Sequence, residues 1–134
     1  MARVINLSEA GSIAIHGMVL IGKSEGMINV QAIAERTGSS RHHVAKVLQR
    51  LAKEGFLRSL RGPQGGFMLN KDPEHISLLD IYQVIEGPLD IVECPMEKHI
   101  CPFDKCIMSN VAARMTEDFR RYLGEHSLAD FMKE

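Results

Sequence analysis

Val30–Leu69 reads VQAIAERTGSSRHHVAKVLQRLAKEGFLRSLRGPQGGFML, and glycines divide it into recognisable units. Residues 30–37 predict a short helix with Val30, Ile33 and Ala34 on its inner side. Thr37-Gly38-Ser39 is a tight turn. Ser40–Glu54 predicts a stronger helix, because Val44, Val47, Leu48 and Leu51 recur on one face and Gly55 can close it in a left-handed conformation. Phe56–Leu60 and Gly66–Leu69 are β-prone runs, and Arg61-Gly62-Pro63-Gln64-Gly65 between them is a hairpin signal. Helix, glycine turn, helix and hairpin in this order predict a winged helix-turn-helix.

Working outward, residues 6–22 predict a helix on which Leu7, Ala10, Ile13, Ala14, Met18 and Ile21 share a face. Asn6 is the expected cap, with Glu9 in the box position. Ser77–Glu86 predicts another helix, opened by Ser77 with Asp80 and stopped by Gly87-Pro88. Residues 88–106 have no hydrophobic period. Ile107–Leu123 predicts a long amphipathic helix with Met108, Val111, Ala112, Met115, Phe119, Tyr122 and Leu123 on its stripe. A short tail helix is expected from Ser127. The expected architecture is mainly α, a winged helix-turn-helix with a small β-hairpin wing and a long C-terminal dimerisation helix. The expected division is 1–87 for the winged module, 88–106 for a cysteine loop and 107–134 for the dimerisation helix and tail.

The chain of 134 residues is 45% hydrophobic and 25% charged, enough to bury a core. No run approaches the about 18 consecutive apolar residues that a membrane helix needs. The start MARVINLSEAG lacks the basic flank and apolar run of a secretory signal, so a cytoplasmic location is expected.

Net charge is only −1, but its distribution is uneven. Arg36, Arg41, Lys46, Arg50, Lys53, Arg58 and Arg61 face a single acid, Glu54, in the middle of the chain. Acids then accumulate beyond Lys71. That pattern predicts one polyanion-facing surface on a near-neutral protein. At the start of the second helix, Ser39, Ser40, Arg41, His42, His43 and Lys46 can donate to phosphates and base edges in a major groove. In the hairpin, Gly62, Pro63 and Gln64 allow close approach to a sugar–phosphate chain, and Arg61 can reach a minor groove. A solvated basic face is the plain alternative, but charge, turn and hairpin together favour duplex DNA. No nucleophile–base or acid–base constellation stands out, so an enzyme is not expected and no catalytic residue is assigned.

The remaining chemistry lies in Cys94-Pro-Met-Glu-Lys-His-Ile-Cys101-Pro-Phe-Asp-Lys-Cys106. Three cysteines this close can converge on one metal centre, and thiolates are the usual ligands of iron–sulfur clusters. One ligand is then missing. Structural zinc completed by His99, a thiol–disulfide switch and incidental cysteines are competing readings.

With these motifs in view, the chain resembles the Rrf-type winged-helix transcription regulators, the IscR/NsrR/CymR group, over nearly its whole length. The likeness is carried by LSEAGSIAIHGM at residues 7–18, by Val30–Leu69 and its Leu60–Phe67 wing, by SLLDIYQVIEG at residues 77–87, by the cysteine loop and by the long helix. The resemblance implies a homodimer on a palindromic operator, with paired C-terminal helices. It implies an iron–sulfur cluster on Cys94, Cys101 and Cys106 that senses nitric oxide, redox state or iron–sulfur status. Some members add a histidine three residues beyond the last cysteine; Ser109 stands there, which excludes that scheme. Others use a carboxylate early in the first helix of the partner subunit, and Glu9 occupies the matching place, with His99 as its rival. A carboxylate ligand favours 4Fe–4S over 2Fe–2S. A thiol-redox or zinc-containing regulator without a cluster is the alternative.

Overall fold

In the computed structural model, residue 5, residues 7–91 and residues 101–133 are described; Asn6, Cys94 and His99 lie outside them. The helices are α1 (Glu9–Lys23), α2 (Val30–Thr37), α3 (Arg41–Lys53), α4 (Leu78–Glu86) and α5 (Val111–Glu125). The strands are β1 (Leu57–Leu60) and β2 (Gly66–Leu69). Short 3-10 turns stand at Pro73–His75 and Leu128–Phe131. The fold is the expected one, mainly helical with a small antiparallel hairpin. No helix among the described residues is long and apolar enough to cross a membrane.

Helix ends follow their caps. Ser40 and Ser77 accept hydrogen bonds from His43 and Asp80 backbone N–H groups, and Ser77 with Asp80 completes the expected capping box. Gly38 closes α2 at φ 71° and makes the turn of the helix-turn-helix. Two helices start later than periodicity predicts. The first opens on Ser8, whose Oγ accepts the Gly11 N–H, so Glu9 is its first residue rather than part of a box with Asn6. The last opens at Val111 and not Ile107, because Ser109 (φ 52°) and Asn110 (φ 58°) are both left-handed. An L residue there costs about 1–2 kcal/mol, and two in succession interrupt a helix. Met108 therefore lies in the turn ahead of α5. The tail element is a 3-10 turn capped by Ser127.

The core is one cluster. Ile13, Ala14, Met18 and Ile21 of α1 meet Ile33 of α2, Val44, Leu48 and Leu51 of α3, and Ile81 of α4. Helix α5 joins it through Leu123, and Tyr82 of α4 meets Phe119 edge-on at 5.4 Å between ring centroids. Its end is tied to the start of α4: the Leu78 N–H donates to the His126 carbonyl at 3.0 Å and the Leu128 N–H to the Ile76 carbonyl at 2.8 Å.

In the wing, Leu57 pairs with Leu69 and Leu60 with Gly66. A third segment joins without forming a strand. Ile28, ahead of α2, exchanges both backbone hydrogen bonds with Phe67, at 3.1 and 2.9 Å. That exchange anchors the hairpin to the helix-turn-helix, and Gly66 permits it. A Cβ on Gly66 would stand 2.4 Å from the Ile28 carbonyl oxygen, at a φ of +151°. Gly66→Ala is expected to cost about 2 kcal/mol in chemical denaturation through strain and the lost pairing; an unchanged midpoint would mean that the wing is anchored some other way.

Candidate nucleic-acid interface and cysteine loop

Burial of the apolar face of α3 sends its other face outward. Arg41, His42 and Lys46 are exposed, as is Ser40 at the cap, while Ser39 and His43 are half-buried. The first turn of α3 contains no acid. The positive end of the helix dipole and the Arg41 and Lys46 cations therefore act together on any anion placed there. At the hairpin tip Arg61, Gly62, Pro63 and Gln64 are all exposed. Gly62 sits at φ +112°, with open space where a Cβ would point. The anchoring of β2 to Ile28 makes wing and helix-turn-helix one frame rather than two hinged parts.

His43 also has a partner that the sequence did not announce. Its Nδ1 lies 3.3 Å from a carboxylate oxygen of Glu9, at the start of α1. The Glu9 side chain is 68% exposed, whereas the His43 imidazole is partly covered, its side chain being 35% exposed. A second carboxylate sits nearby in the chain path. Glu86, the last residue of α4, accepts the Ser8 N–H at 2.9 Å and the Ser8 hydroxyl at 2.6 Å. Gly11 leaves room for this grip, since a Cβ on it would stand 3.4 Å from Glu86 Cδ and 3.2 Å from Leu7 Cδ1. No motif in the sequence marks Ser8 or Glu86 as a site residue. The available signal was weak: a cap-type serine one residue before Glu9.

The cysteine loop leaves α4 directly after Glu86. Cys101 is exposed and Cys106 half-buried, and both are free thiols. Cys106 lines a shallow hollow with Phe103, Lys105, Ile107 and Ser109. Among the described residues no three His, Cys, Asp or Glu side chains gather at one metal-sized site, so Glu9 is not brought to Cys101 and Cys106 within the chain. The sequence-based pairing of Glu9 with these thiols was an intersubunit one.

The Rrf2 family model, described as "Iron-dependent Transcriptional regulator", matches residues 7–134. This chain belongs to the Rrf2 family. It is 27% identical over 131 residues to the HTH-type transcriptional regulator IscR of Xenorhabdus nematophila, covering 96% of this chain and 80% of that protein. Among solved structures it is similar to CymR, the global cysteine regulator of B. subtilis, at 25% identity and a TM-score of 0.79, with 96% of each chain covered. It is also similar to IscR of T. potens, at 25% identity and a TM-score of 0.72, over 96% of this chain and 86% of that one. Membership of Rrf2 makes the chain a DNA-binding transcription regulator and not an enzyme. It also accounts for the resemblance read from the Leu60–Phe67 wing.

Exposure orders the reactivity of the loop, because a thiol must be reached before it can react. In reduced, metal-free protein Cys101 is expected to alkylate several-fold faster than Cys106. Lys98 and Lys105 place the three cysteines on separate tryptic peptides, so mass spectrometry reads each rate directly. Equal rates would show that Cys106 is as open as Cys101.

Proposed function

We propose that this Rrf2 regulator reads an iron–sulfur cluster held by Cys94, Cys101 and Cys106, and grips its operator according to the cluster's presence. The observation that carries the reading is the pair of free, solvent-reaching thiols at Cys101 and Cys106, in a loop that starts where the end of α4 grips Ser8, the cap of α1. The iron-dependent description of the family supports it. Soft thiolates suit iron–sulfur centres, and an accessible loop suits one that must be loaded and lost. The exposed Glu9 carboxylate is the fourth ligand, supplied by the partner subunit, with His99 as its rival; a carboxylate favours 4Fe–4S over 2Fe–2S. Such a cluster supplies reactivity toward nitric oxide, oxidants and iron limitation. Glu9 faces His43 in this chain, so its use as a ligand exchanges one contact for the other.

The operator-reading surface comprises Ser39, Ser40, Arg41, His42, His43 and Lys46 of the helix-turn-helix and Arg61, Gly62, Pro63 and Gln64 of the wing. Two copies on a palindrome would use it twice. A homodimer is supported by the outer face of α5, where Met115 and Tyr122 are about half exposed, and by exposed Ile107 and Met108 in the turn ahead of it. Tyr122 also edges an open cleft of about 1310 Å³ beside α1, lined further by Ile15, Val19, Leu20 and Phe131, so the apolar surface offered to a second copy runs from α5 to α1. Residues 88–106 then serve as the sensing loop between the winged module of residues 1–87 and the dimerisation helix and tail of residues 107–134, in the cytoplasm.

A thiol-redox regulator without a cluster is the second reading, favoured by the same free thiols and by the likeness to a cysteine regulator. Anaerobically isolated protein is expected to contain iron and acid-labile sulfide and to show a visible sulfur-to-iron absorption. Cys101→Ala is expected to abolish that absorption, and Glu9→Ala to accelerate its loss. Colourless protein free of iron and sulfide, with normal operator binding, would leave the thiol reading.

Contacts to phosphate release counterions, so binding weakens with salt in proportion to their number. Arg61 in the minor groove lies between two phosphate chains, so Arg61→Ala is expected to weaken binding and to reduce the slope of log K against log salt by about 0.9. An unaltered slope would remove Arg61 from the phosphate contacts.

A further inference from the structure

Residues Ser8 and Glu9 are adjacent in the chain, yet each is held by a distant element. Ser8 is held by Glu86 at the end of α4, through the backbone N–H on one carboxylate oxygen and the hydroxyl on the other. Glu9 is held against His43 at the start of α3. The cysteine loop follows Glu86 at once, and α3 is the helix assigned to the major groove. His43 itself is fixed at its backbone, where its N–H donates to the Ser40 cap.

We propose that Glu86 is a positioning residue that joins the cysteine loop to the recognition helix through Ser8, Glu9 and His43. The inference rests on the operator-reading surface proposed above. A hydrogen bond to an ionised acceptor is roughly twice as strong as a neutral one, and two on one carboxylate fix direction as well as distance. Gly11 is part of the fit, since it lets the Glu86 side chain lie against the first turn of α1. Displacement of Glu86 moves the Ser8 cap, and Glu9 cannot then hold its place against His43. The reverse also holds: duplex that fixes His43 fixes Ser8 and Glu86, and so restrains the loop at its origin. Coupling of this kind is reciprocal by thermodynamic necessity.

Reciprocity gives a test that requires no cluster. The full chain, reduced and metal-free, is alkylated with iodoacetamide in the presence and absence of a duplex that the protein itself selects from a randomised pool. The rate at Cys101 is read on its own tryptic peptide. In the wild type the duplex is expected to slow Cys101 by at least about fivefold. In Glu86→Gln, where an amide nitrogen replaces one acceptor oxygen, the two rates are expected to coincide at duplex saturation. A purely structural role for Glu86 would shift both rates together and leave their ratio alone. Ser8→Ala removes the hydroxyl from the same contact and carries the test should Glu86→Gln fold poorly. A wild-type ratio near one, or a wild-type ratio retained in the folded variants, would overturn the proposal. The affinity of reduced, metal-free wild type for the selected duplex, and its fall in Arg41→Ala, reports separately on the operator-reading surface, so the two readings fail independently.

Discussion

Four aliphatic side chains on one face of α3, Val44, Val47, Leu48 and Leu51, are buried against the rest of the helical core. Each contributes about 1.5–3 kcal/mol by leaving water. An exposed ion pair contributes at most about 1 kcal/mol, so no arrangement of surface charge could turn this helix over. The direction in which Arg41, His42 and Lys46 point is therefore settled by hydrophobic burial on the opposite side. The same constraint reaches the wing. Phe67 is buried, and its backbone exchanges hydrogen bonds with Ile28, the lead-in to α2. Recognition helix and hairpin inherit one orientation from one core.

That dependence explains what could be read in the sequence. Helix α3 and the hairpin were legible because their signals are local: helical spacing of aliphatics in one, a glycine-proline turn between β-prone runs in the other. The Ser77–Asp80 capping box was legible for the same reason. The start of α1 was not. Asn6 and Ser8 are both good caps, and Ser8 is distinguished by Glu86, which lies 78 positions away in the chain. The start of α5 was hidden too, since Ser109 and Asn110 leave the apolar period intact while their backbones leave the helix. Ile28 escaped because a single paired residue has no period.

The candidate site divides along the same line. Residue types and exposure at Arg41, His42, Lys46 and Arg61–Gln64 follow from amphipathicity and turn chemistry. The thiols of Cys101 and Cys106 were visible as ligands by type alone. The contact between Glu9 and His43 was not visible, because it joins the beginnings of two helices that only the tertiary fold brings side by side. A carboxylate read as a cap or as a metal ligand thus has a third partner inside its own chain.

The stitching of Leu78 to His126 and of Leu128 to Ile76 has a bearing on biosynthesis. A nascent chain leaves the ribosome from its beginning, so α1 to α4 emerge well before Leu123 and Leu128 can fill their places in the interior. Until then the helix-turn-helix exists with part of its hydrophobic support still in the exit tunnel. Vectorial synthesis thus makes the segment around residues 123–131 a closing seal, and the helices made before it complete their packing only once that segment has followed them out.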